Sequence, residues 1–508
     1  MVVKIACILV FAAVTIIIGI VSSKKVRGVG DFVLGGRNVG PWFSAFAFGT
    51  SYFSAVIFVG YAGKFGWSFG VSATWIGLAN ALIGSCLAWL VLGRRTRIMT
   101  KHLETSTMPE FFEKRYNSKA LKLTAAIIIF VFLVPYSASI YKGLSGIFEM
   151  AFNIKFEYCI IAMALLTAVY VILGGYVAAA LNDFIQGIVM LIGICIVVFK
   201  VLAGQGGFTA ALAKLSTQVA ETSVGTLNGA FVSFFGPDPL GLISVMILTS
   251  LGTWGLPQMV HKFYSISDEK AIRKGTIIST LFAVVVAGGS YFMGGFGRLY
   301  VEADAATGNP VTGFDSIVPT MLSGALSDLM IGIIVVLVLS ASMSTLSSLV
   351  ISSSSTVTLD LIKGFIAPKM SEKKQMWTIR ILCAFFIVLS VVLALDKGSL
   401  ISNLMAISWG ALAGAFLAPF MYGLFSRRVT KAAVWVSFIG GVGLVVANLI
   451  FKFTDGTVAG ALAMVGTLII VPIVSLITPR MDKDYVDKCF SCYEERTMAK
   501  VTHSLEDL

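Results

Sequence analysis

The feature that most constrains the fold of this chain is a series of long apolar runs, many of which approach 20 residues. A helix of about 20 apolar residues is long enough to cross the hydrocarbon core of a bilayer. Apolar residues make up 57% of the 508 residues and charged residues only 13%, about half the charged share of a soluble domain. The sequence therefore predicts an all-α integral membrane protein.

Thirteen apolar runs are predicted to be transmembrane helices, because short, charged or Gly- and Pro-bearing stretches separate them. The first run follows Lys4 and has no small-residue cleavage site behind it, so it is interpreted as a retained span and not as a signal peptide. The runs are 4–22, 41–66, 71–93, 122–150, 157–174, 178–203, 238–262, 276–299, 326–362, 377–396, 400–426, 432–452 and 457–478.

Charge fixes the predicted orientation. With thirteen spans, 29 of the 38 Lys and Arg residues fall near connections on one side of the membrane. The positive-inside rule makes that side cytoplasmic, with the N-terminus outside and the C-terminus inside a multi-pass protein of the cell membrane. The net charge of +12 is spread over these connections, where it meets anionic lipid, so no nucleic-acid partner is expected.

Polar groups at membrane depth are costly in lipid, so each of them is a functional lead. Asp183, at the start of the sixth run, must face protein, water or a cation, or else cap a helix at the interface. In the hydroxyl-rich stretch 340–355, Ser344, Ser348 and Ser352 share a helical face. Such oxygens suit a hard cation, although Ser and Thr in membrane helices also bond back to a carbonyl one turn earlier.

Two runs carry small polar or helix-breaking residues in mid-membrane, at 49–55 and at 252–258. Each opens a block of five runs, and because five is odd the second block is inverted relative to the first. This is the 5+5 inverted repeat of the LeuT-type fold, whose binding site lies at the breaks. The expected single transporter domain comprises an extra first helix at 4–22, a first repeat at 41–203, an inverted second repeat at 238–426, two accessory helices at 432–478 and a cytoplasmic tail at 479–508.

Catalytic and nucleotide-binding motifs are absent from the sequence. The three histidines, His102, His261 and His503, have no metal-binding spacing, and neither a GxxxxGK[ST] loop nor a GxSxG elbow occurs. The chain is therefore not expected to be an enzyme, and an ion gradient is expected to supply its energy. The single CxxC, Cys489 and Cys492 in the tail, is a weak sign of metal or redox chemistry.

Five local motifs follow one another along the chain, at 31–37, 107–116, 174–186, 252–257 and 341–345. Together they resemble the motifs of the sodium:solute symporter family, which includes carriers of proline, pantothenate, monocarboxylates, sialic acid and, in animals, glucose. The resemblance covers about residues 5–480, and the order and spacing of the motifs make it specific. Asn182 departs from the pattern, since the family usually has Thr there.

The resemblance implies sodium as the coupling ion. It implies a main sodium site formed by the carbonyls of Thr50, Phe53 and Ala341 and the side chains of Ser344 and Thr345. A second sodium ion, as in some members, would be held by Asp183, Ser344, Ser347 and Ser348, although Lys142 could pair with Asp183 instead. The residues expected near the solute are Ser54, Tyr136, Lys142, Thr249, Thr253 and Pro257.

The expected function is sodium-coupled symport of a small organic solute, monocarboxylate-like or amino-acid-like, by alternating access. The proline carrier has Trp and Tyr where this chain has Thr249 and Thr253, which weakens a proline interpretation. A sugar or sialic acid symporter, a proton-coupled carrier and a solute sensor of the same fold stay open as alternatives. A channel is disfavoured because no repeated filter loop is visible. The sequence leaves the oligomeric state undetermined.

Overall fold

The protein is described by a computed structural model that covers residues 2–23, 28–37, 39–222, 225–325, 328–396 and 400–498. The described chain is almost entirely helical. Two short strands, Val219–Thr222 and Gly225–Asn228, form an antiparallel hairpin in which Val219 pairs with Asn228. The main helices are Val2–Ser23, Val29–Leu34, Pro41–Tyr52, Val56–His102, Met108–Tyr116, Lys119–Phe152, Phe156–Gly204, Phe208–Ser216, Pro239–Gly255, Pro257–Tyr264, Glu269–Gly294, Ile317–Ala325, Asp328–Thr356 with its continuation Val357–Ile366, Glu372–Ala394, Ile401–Phe425, Lys431–Phe451, Gly456–Ile477 and Lys483–Met498.

Ten of the described helices are long and apolar enough to cross a membrane, or eleven if the bent pair Pro239–Gly255 and Pro257–Tyr264 forms one span. This count is lower than the thirteen predicted runs for reasons visible in the backbone. Pro41–Tyr52 ends after 12 residues, and Phe156–Val169 is a shorter apolar helix. Val56–His102 joins parts of two predicted runs across a turn at Gly70, where φ is +64°.

Both predicted helix breaks are present. In the first broken helix, Pro41–Tyr52 followed by 56–69, Phe53 is extended with φ −89° and ψ 122°. The Ser54 hydroxyl accepts a hydrogen bond from the Val56 N–H at 3.2 Å and so replaces a lost backbone partner. In the second broken helix, Pro239–Gly255 and Pro257–Tyr264, Leu256 is extended and the halves bend by 44°. Pro257 causes this break, because proline disfavours the helical conformation in the residue before it.

A sharp turn at Gly175 divides Phe156–Gly204 into two helices. Gly175 has φ +54° and ψ −146°, a conformation that only glycine adopts readily. A Cβ atom at this position would lie 2.6 Å from the Phe32 ring. The turn therefore depends on the missing side chain, and it sets the direction of the following stretch, Gly175–Gly204, here called the Asp183 helix.

The central helix, Ile401–Phe425, is buried over most of its length. It packs against Lys431–Phe451, Gly456–Ile477, Lys119–Phe152 and the second broken helix. Gly414 and Gly441 let two of these backbones meet closely, since a Cβ on Gly441 would lie 2.3 Å from the Gly414 carbonyl carbon. Small residues at helix contacts are the usual means of close packing in membranes, where lipid gives no hydrophobic drive to associate.

Asp328–Thr356, here called the serine-rich helix, packs against the Asp183 helix, Lys119–Phe152 and the first broken helix. Its hydroxyls from Ser340 to Ser348 are all buried. Ser352 to Ser355, in the second half of the run predicted at 326–362, are buried as well.

Backbone and arginine contacts close the end of the molecule that carries most of the basic residues, here called the basic end. The Val39 N–H donates to the Ser265 carbonyl at 3.0 Å, and the Ser267 N–H donates to the Val39 carbonyl at 3.2 Å. Arg97 donates to the Ile266 carbonyl at 2.7 Å, and Arg37 donates to the Thr105 carbonyl at 2.5 Å. These bonds tie the loop after the first helix to the end of the second broken helix.

Gly175→Ala is expected to lower the free energy of unfolding by on the order of 1–3 kcal/mol, because the new methyl group meets Phe32 and the backbone conformation becomes strained. Thermal denaturation of the purified protein in detergent measures the effect. Gly443→Ala is the matched control, since a Cβ there meets no atom within 4 Å. Equal melting temperatures for the two variants would contradict this account of the turn.

Candidate functional site

The break in the first broken helix frees backbone carbonyls that would otherwise accept helical hydrogen bonds. The Thr50 carbonyl loses its usual partner four residues on, and the Phe53 carbonyl lies in the extended segment. The Thr345 hydroxyl, on the serine-rich helix, lies 3.2 Å from the Thr50 carbonyl oxygen and 3.3 Å from that of Phe53. It also lies 3.1 Å from the Ala341 carbonyl of its own helix.

The Thr345 hydroxyl and these three carbonyl oxygens form a candidate cation site. A hydroxyl has one proton, so Thr345 can make only one full hydrogen bond to the three carbonyls. A hard cation held at about 2.3–2.6 Å by oxygens at right angles would space them about 3.3–3.7 Å apart, close to the separations found here. All the residues are fully buried. The set of neutral oxygen donors therefore fits a monovalent cation such as sodium.

Ser344 supplies a further oxygen beside this cluster. Its hydroxyl donates to the Thr50 hydroxyl at 2.7 Å, and the Thr50 hydroxyl donates to the Phe46 carbonyl at 2.7 Å. The lone pairs of the Ser344 oxygen therefore stay available to a cation. The structure thus brings together all five residues that the sequence analysis assigned to the main sodium site, and it places them between the first broken helix and the serine-rich helix.

Asp183 lies near the same two helices, and its partner is a lysine. The Lys262 ammonium, at the end of the second broken helix, is 3.6 Å from Asp183 Oδ2 and donates to the Ser348 hydroxyl at 2.9 Å. Asp183 is fully buried and Lys262 is 2% exposed. The sequence analysis counted Lys262 among the residues of a cytoplasmic connection. The fold instead turns it inward onto the only carboxylate of the Asp183 helix.

The other residues assigned to a second sodium ion have separate contacts. The Ser347 hydroxyl donates to the Ser344 carbonyl at 2.8 Å, within its own helix. Ser348 lies 2.8 Å from the Ser51 hydroxyl and also bonds the Ser344 carbonyl. Of the four expected ligands, Asp183 and Ser348 contact Lys262 and Ser347 bonds back to the backbone. The fourth, Ser344, lies beside Asp183.

Three aromatic residues meet beside the two breaks. The Trp409 ring, on the central helix, lies 5.8 Å from the Tyr52 ring and 5.8 Å from the Tyr136 ring, measured between centroids. It also covers Gly252 of the second broken helix, where a Cβ would come within 2.6 Å of it. The Tyr52 and Tyr136 hydroxyls and the Trp409 Nε1–H are buried and make no well-formed hydrogen bond in the described part of the chain. The Tyr136 hydroxyl faces Trp409 and Ser54, and the Tyr52 hydroxyl faces Thr249. Buried polar atoms are rarely left so, and their convergence indicates a place for a polar ligand.

Two of the residues expected near the solute use their hydroxyls elsewhere. Thr249 donates to the Val245 carbonyl of its own helix at 2.8 Å. Thr253 donates to the Gly84 carbonyl at 2.8 Å and so fastens the second broken helix to Val56–His102. Ser54 caps the second half of the first broken helix, and Pro257 starts the second half of the other. Tyr136, by contrast, belongs to the aromatic group.

Lys142 lies apart from the aromatic group, about 9 Å along the helix from Tyr136 at 1.5 Å per residue. Its ammonium donates to the Asp396 carbonyl. With Glu149 and Asp315 it lines an open cavity of 340 Å³ at the end opposite the basic end. Burial raises the pKa of the Asp315 carboxyl, which accepts a hydrogen bond from the Ile401 N–H at 3.1 Å.

Sequence reasoning missed Trp409 and Lys262. Trp409 stands in a run of small apolar residues and carries no motif, so only packing brings it to the breaks. Lys262 is the last residue of a predicted run, where a lysine normally extends to the interface. The tail pair, Cys489 and Cys492, lies on Lys483–Met498 as buried free thiols.

Comparison with known proteins agrees with this geometry. Residues 32–441 match the model of the sodium:solute symporter family. A sodium/proline symporter of Haemophilus influenzae is 29% identical over 502 residues, which cover 94% of this chain and 96% of the relative. The similarity therefore extends over nearly the full length of both chains.

Two solved structures share the fold. A Na⁺-coupled sialic acid symporter superposes with a TM-score of 0.74 at 16% identity, over 95% of this chain and 99% of that one. Mhp1, a nucleobase-cation-symport-1 family transporter, gives a TM-score of 0.53 at 15% identity, over 90% and 97% of the two chains. Both have the LeuT-type fold. At these identities the likeness shows the fold alone.

Thr345→Val is expected to weaken sodium binding to the purified protein by roughly 5- to 100-fold, because it removes one oxygen ligand worth on the order of 1–3 kcal/mol. The sodium affinity is measured by titrating the protein with Na⁺ in a K⁺ background and recording the rise in its melting temperature. Thr467→Val is the matched control, since the Thr467 hydroxyl bonds only carbonyls of its own helix. Equal sodium affinities in the two variants would rule out this cluster as the cation site.

Proposed function

Because the chain belongs to the sodium:solute symporter family, we propose that it carries a small amino-acid-like solute into the cell together with sodium. The observation that carries the proposal is the convergence of oxygens on Thr345 from two helices. A cation bound there would join the first broken helix to the serine-rich helix. Sodium binding would therefore favour one arrangement of these helices over another, as coupling requires.

The proposed solute site is the space between the aromatic group and the two breaks. Tyr52 ends the first half of the first broken helix, so the solute site and the cation site share that element. Sodium would fix the backbone around the break and so prepare the site for the solute. The order of binding that follows is sodium first and solute second.

The chemistry of the aromatic group favours an amino acid. Two hydroxyls and an indole N–H that make no well-formed hydrogen bond in the described part of the chain can donate to a carboxylate. Aromatic faces attract an ammonium group, and this separates an amino acid from a simple monocarboxylate. The relative named a sodium/proline symporter supports an imino or amino acid as the first candidate. Thr249 and Thr253 are compatible with this, since their hydroxyls serve helix packing.

We also propose the full thirteen-span topology, with the N-terminus outside and the basic end in the cytoplasm. With the bent pair counted as one span, the described chain has eleven candidate spans. The short helix Phe156–Val169 would add a twelfth, and division of Val56–His102 at Gly70 into two spans would add a thirteenth. The distribution of Lys and Arg supports the orientation. In this arrangement the Lys142 cavity opens to the outside.

Uptake into proteoliposomes tests the function. An inward sodium gradient is expected to drive accumulation of labelled proline or another small amino acid, and K⁺ in place of Na⁺ is expected to abolish it. Labelled lactate, glucose and sialic acid are tested in parallel. Equal uptake driven by a proton gradient without sodium would overturn sodium coupling, and preference for lactate or a sugar would overturn the proposed solute class.

Trp409→Phe is expected to raise the KM for the transported solute by roughly 5- to 100-fold, because it keeps the ring and removes the N–H donor, worth on the order of 1–3 kcal/mol. The sodium affinity is expected to stay unchanged. Trp377→Phe is the matched control, since Trp377 is exposed on the surface of its helix. An unchanged KM in Trp409→Phe would place the solute elsewhere.

A further inference from the structure

Lys262 is a buried charge in the core that the proposed mechanism does not use. Its side chain reaches from the second broken helix into the place where the sequence analysis expected a second sodium ion. There it contacts Ser348 at 2.9 Å and Asp183 at 3.6 Å. A buried lysine is costly to maintain unless its charge is compensated.

The contacts are those of an ammonium ion. Lysine has three N–H donors and no acceptor. One direction is taken by the Ser348 hydroxyl and one by the Asp183 carboxylate, and the face of Tyr176 lies 5.0 Å from Nζ, measured to the ring centroid. A hydroxyl, a carboxylate and an aromatic face all favour a positive charge. The site therefore holds a cation that belongs to the chain itself.

The ammonium also joins the helices that a bound ion would join. Lys262 is on the second broken helix, Asp183 is on the Asp183 helix and Ser348 is on the serine-rich helix. Ser348 in turn lies 2.8 Å from Ser51 of the first broken helix. Four elements of the core thus meet at one positive charge.

We infer that the Lys262 ammonium is a tethered cation that takes the place of a second sodium ion, so this symporter binds one sodium per transport cycle. The inference rests on the proposed function, since it presumes sodium at the Thr345 cluster. A sodium ion beside the same Asp183 carboxylate would be repelled by the Lys262 ammonium, because like charges a few ångströms apart disfavour each other. The expectation of a second sodium held by Asp183, Ser344, Ser347 and Ser348 is thereby replaced by a fixed charge.

Counting bound sodium tests the inference directly and needs no knowledge of the solute. Equilibrium binding of ²²Na⁺ to the purified protein is expected to saturate at one ion per chain. Lys262→Ala is expected to saturate at two, because it opens a space beside Asp183 while the carboxylate stays. Lys270→Ala is the matched control and is expected to keep one ion, since Lys270 is exposed on the neighbouring helix.

A double variant separates this role from a purely structural one. Lys262→Met with Asp183→Asn removes both charges at similar volume and is expected to keep one bound sodium. If Lys262→Ala is unstable without salt, its melting temperature is measured as a function of Na⁺ concentration. It is expected to rise over a wider concentration range than the melting temperature of the wild type, because a second ion binds. The double variant is expected to behave like the wild type.

Each outcome bears on a separate claim. Two sodium ions bound to the wild type, or one bound to a folded Lys262→Ala variant, would overturn the tethered-cation inference and leave sodium symport intact. No saturable sodium binding to the wild type would overturn the proposed function itself. One ion in the wild type and in the double variant, with two in Lys262→Ala, would support the inference.

Discussion

A helix that breaks inside a membrane leaves backbone carbonyls that water cannot reach, and the core of this protein is organised around satisfying them. In hydrocarbon each such group must find a partner within the protein. At the first break that partner is Thr345, which faces the carbonyls of Thr50 and Phe53. One hydroxyl proton is too little for three carbonyls. The shortfall makes the place a candidate cation site, because an ion would satisfy all the oxygens at once.

The same reasoning extends to the charge at Asp183. A carboxylate without compensation in the buried core would be costly, and Lys262 supplies the compensation from the second broken helix. The candidate cation site and the Lys262 ammonium contact the same serine-rich helix one turn apart, at Thr345 and Ser348. In the proposed mechanism the first position takes an exchangeable ion and the second is filled by the chain. The inferred number of ions moved is then set by a single side chain and not by the fold.

The closed basic end relates these sites to alternating access. The loop around Val39 is paired with the residues after the second broken helix, at Ser265 and Ser267. Arg37 and Arg97 add hydrogen bonds to neighbouring carbonyls. Opening this end requires these bonds to break while the helices rearrange. Lys262 lies only three residues before Ser265, so the tethered charge and the closure belong to the same stretch of chain.

The sequence by itself determined the membrane class and the two helix breaks, while the family resemblance implied the five residues around Thr345. It could do so because apolar length, proline and glycine positions and local motifs are properties of neighbouring residues. The symport family was also readable from the order of those motifs. The structure adds little to these conclusions except distances.

Only the tertiary structure decided which residues from distant runs meet. Trp409 and Tyr136 lie 273 positions apart and become neighbours because the central helix packs beside Lys119–Phe152. Asp183 could have paired with sodium or with Lys142 as far as residue type goes. It pairs with Lys262 because the bend at Leu256 turns the end of the second broken helix inward. A lysine at the end of an apolar run looks the same in sequence whether it reaches solvent or a buried carboxylate, and packing alone makes the difference.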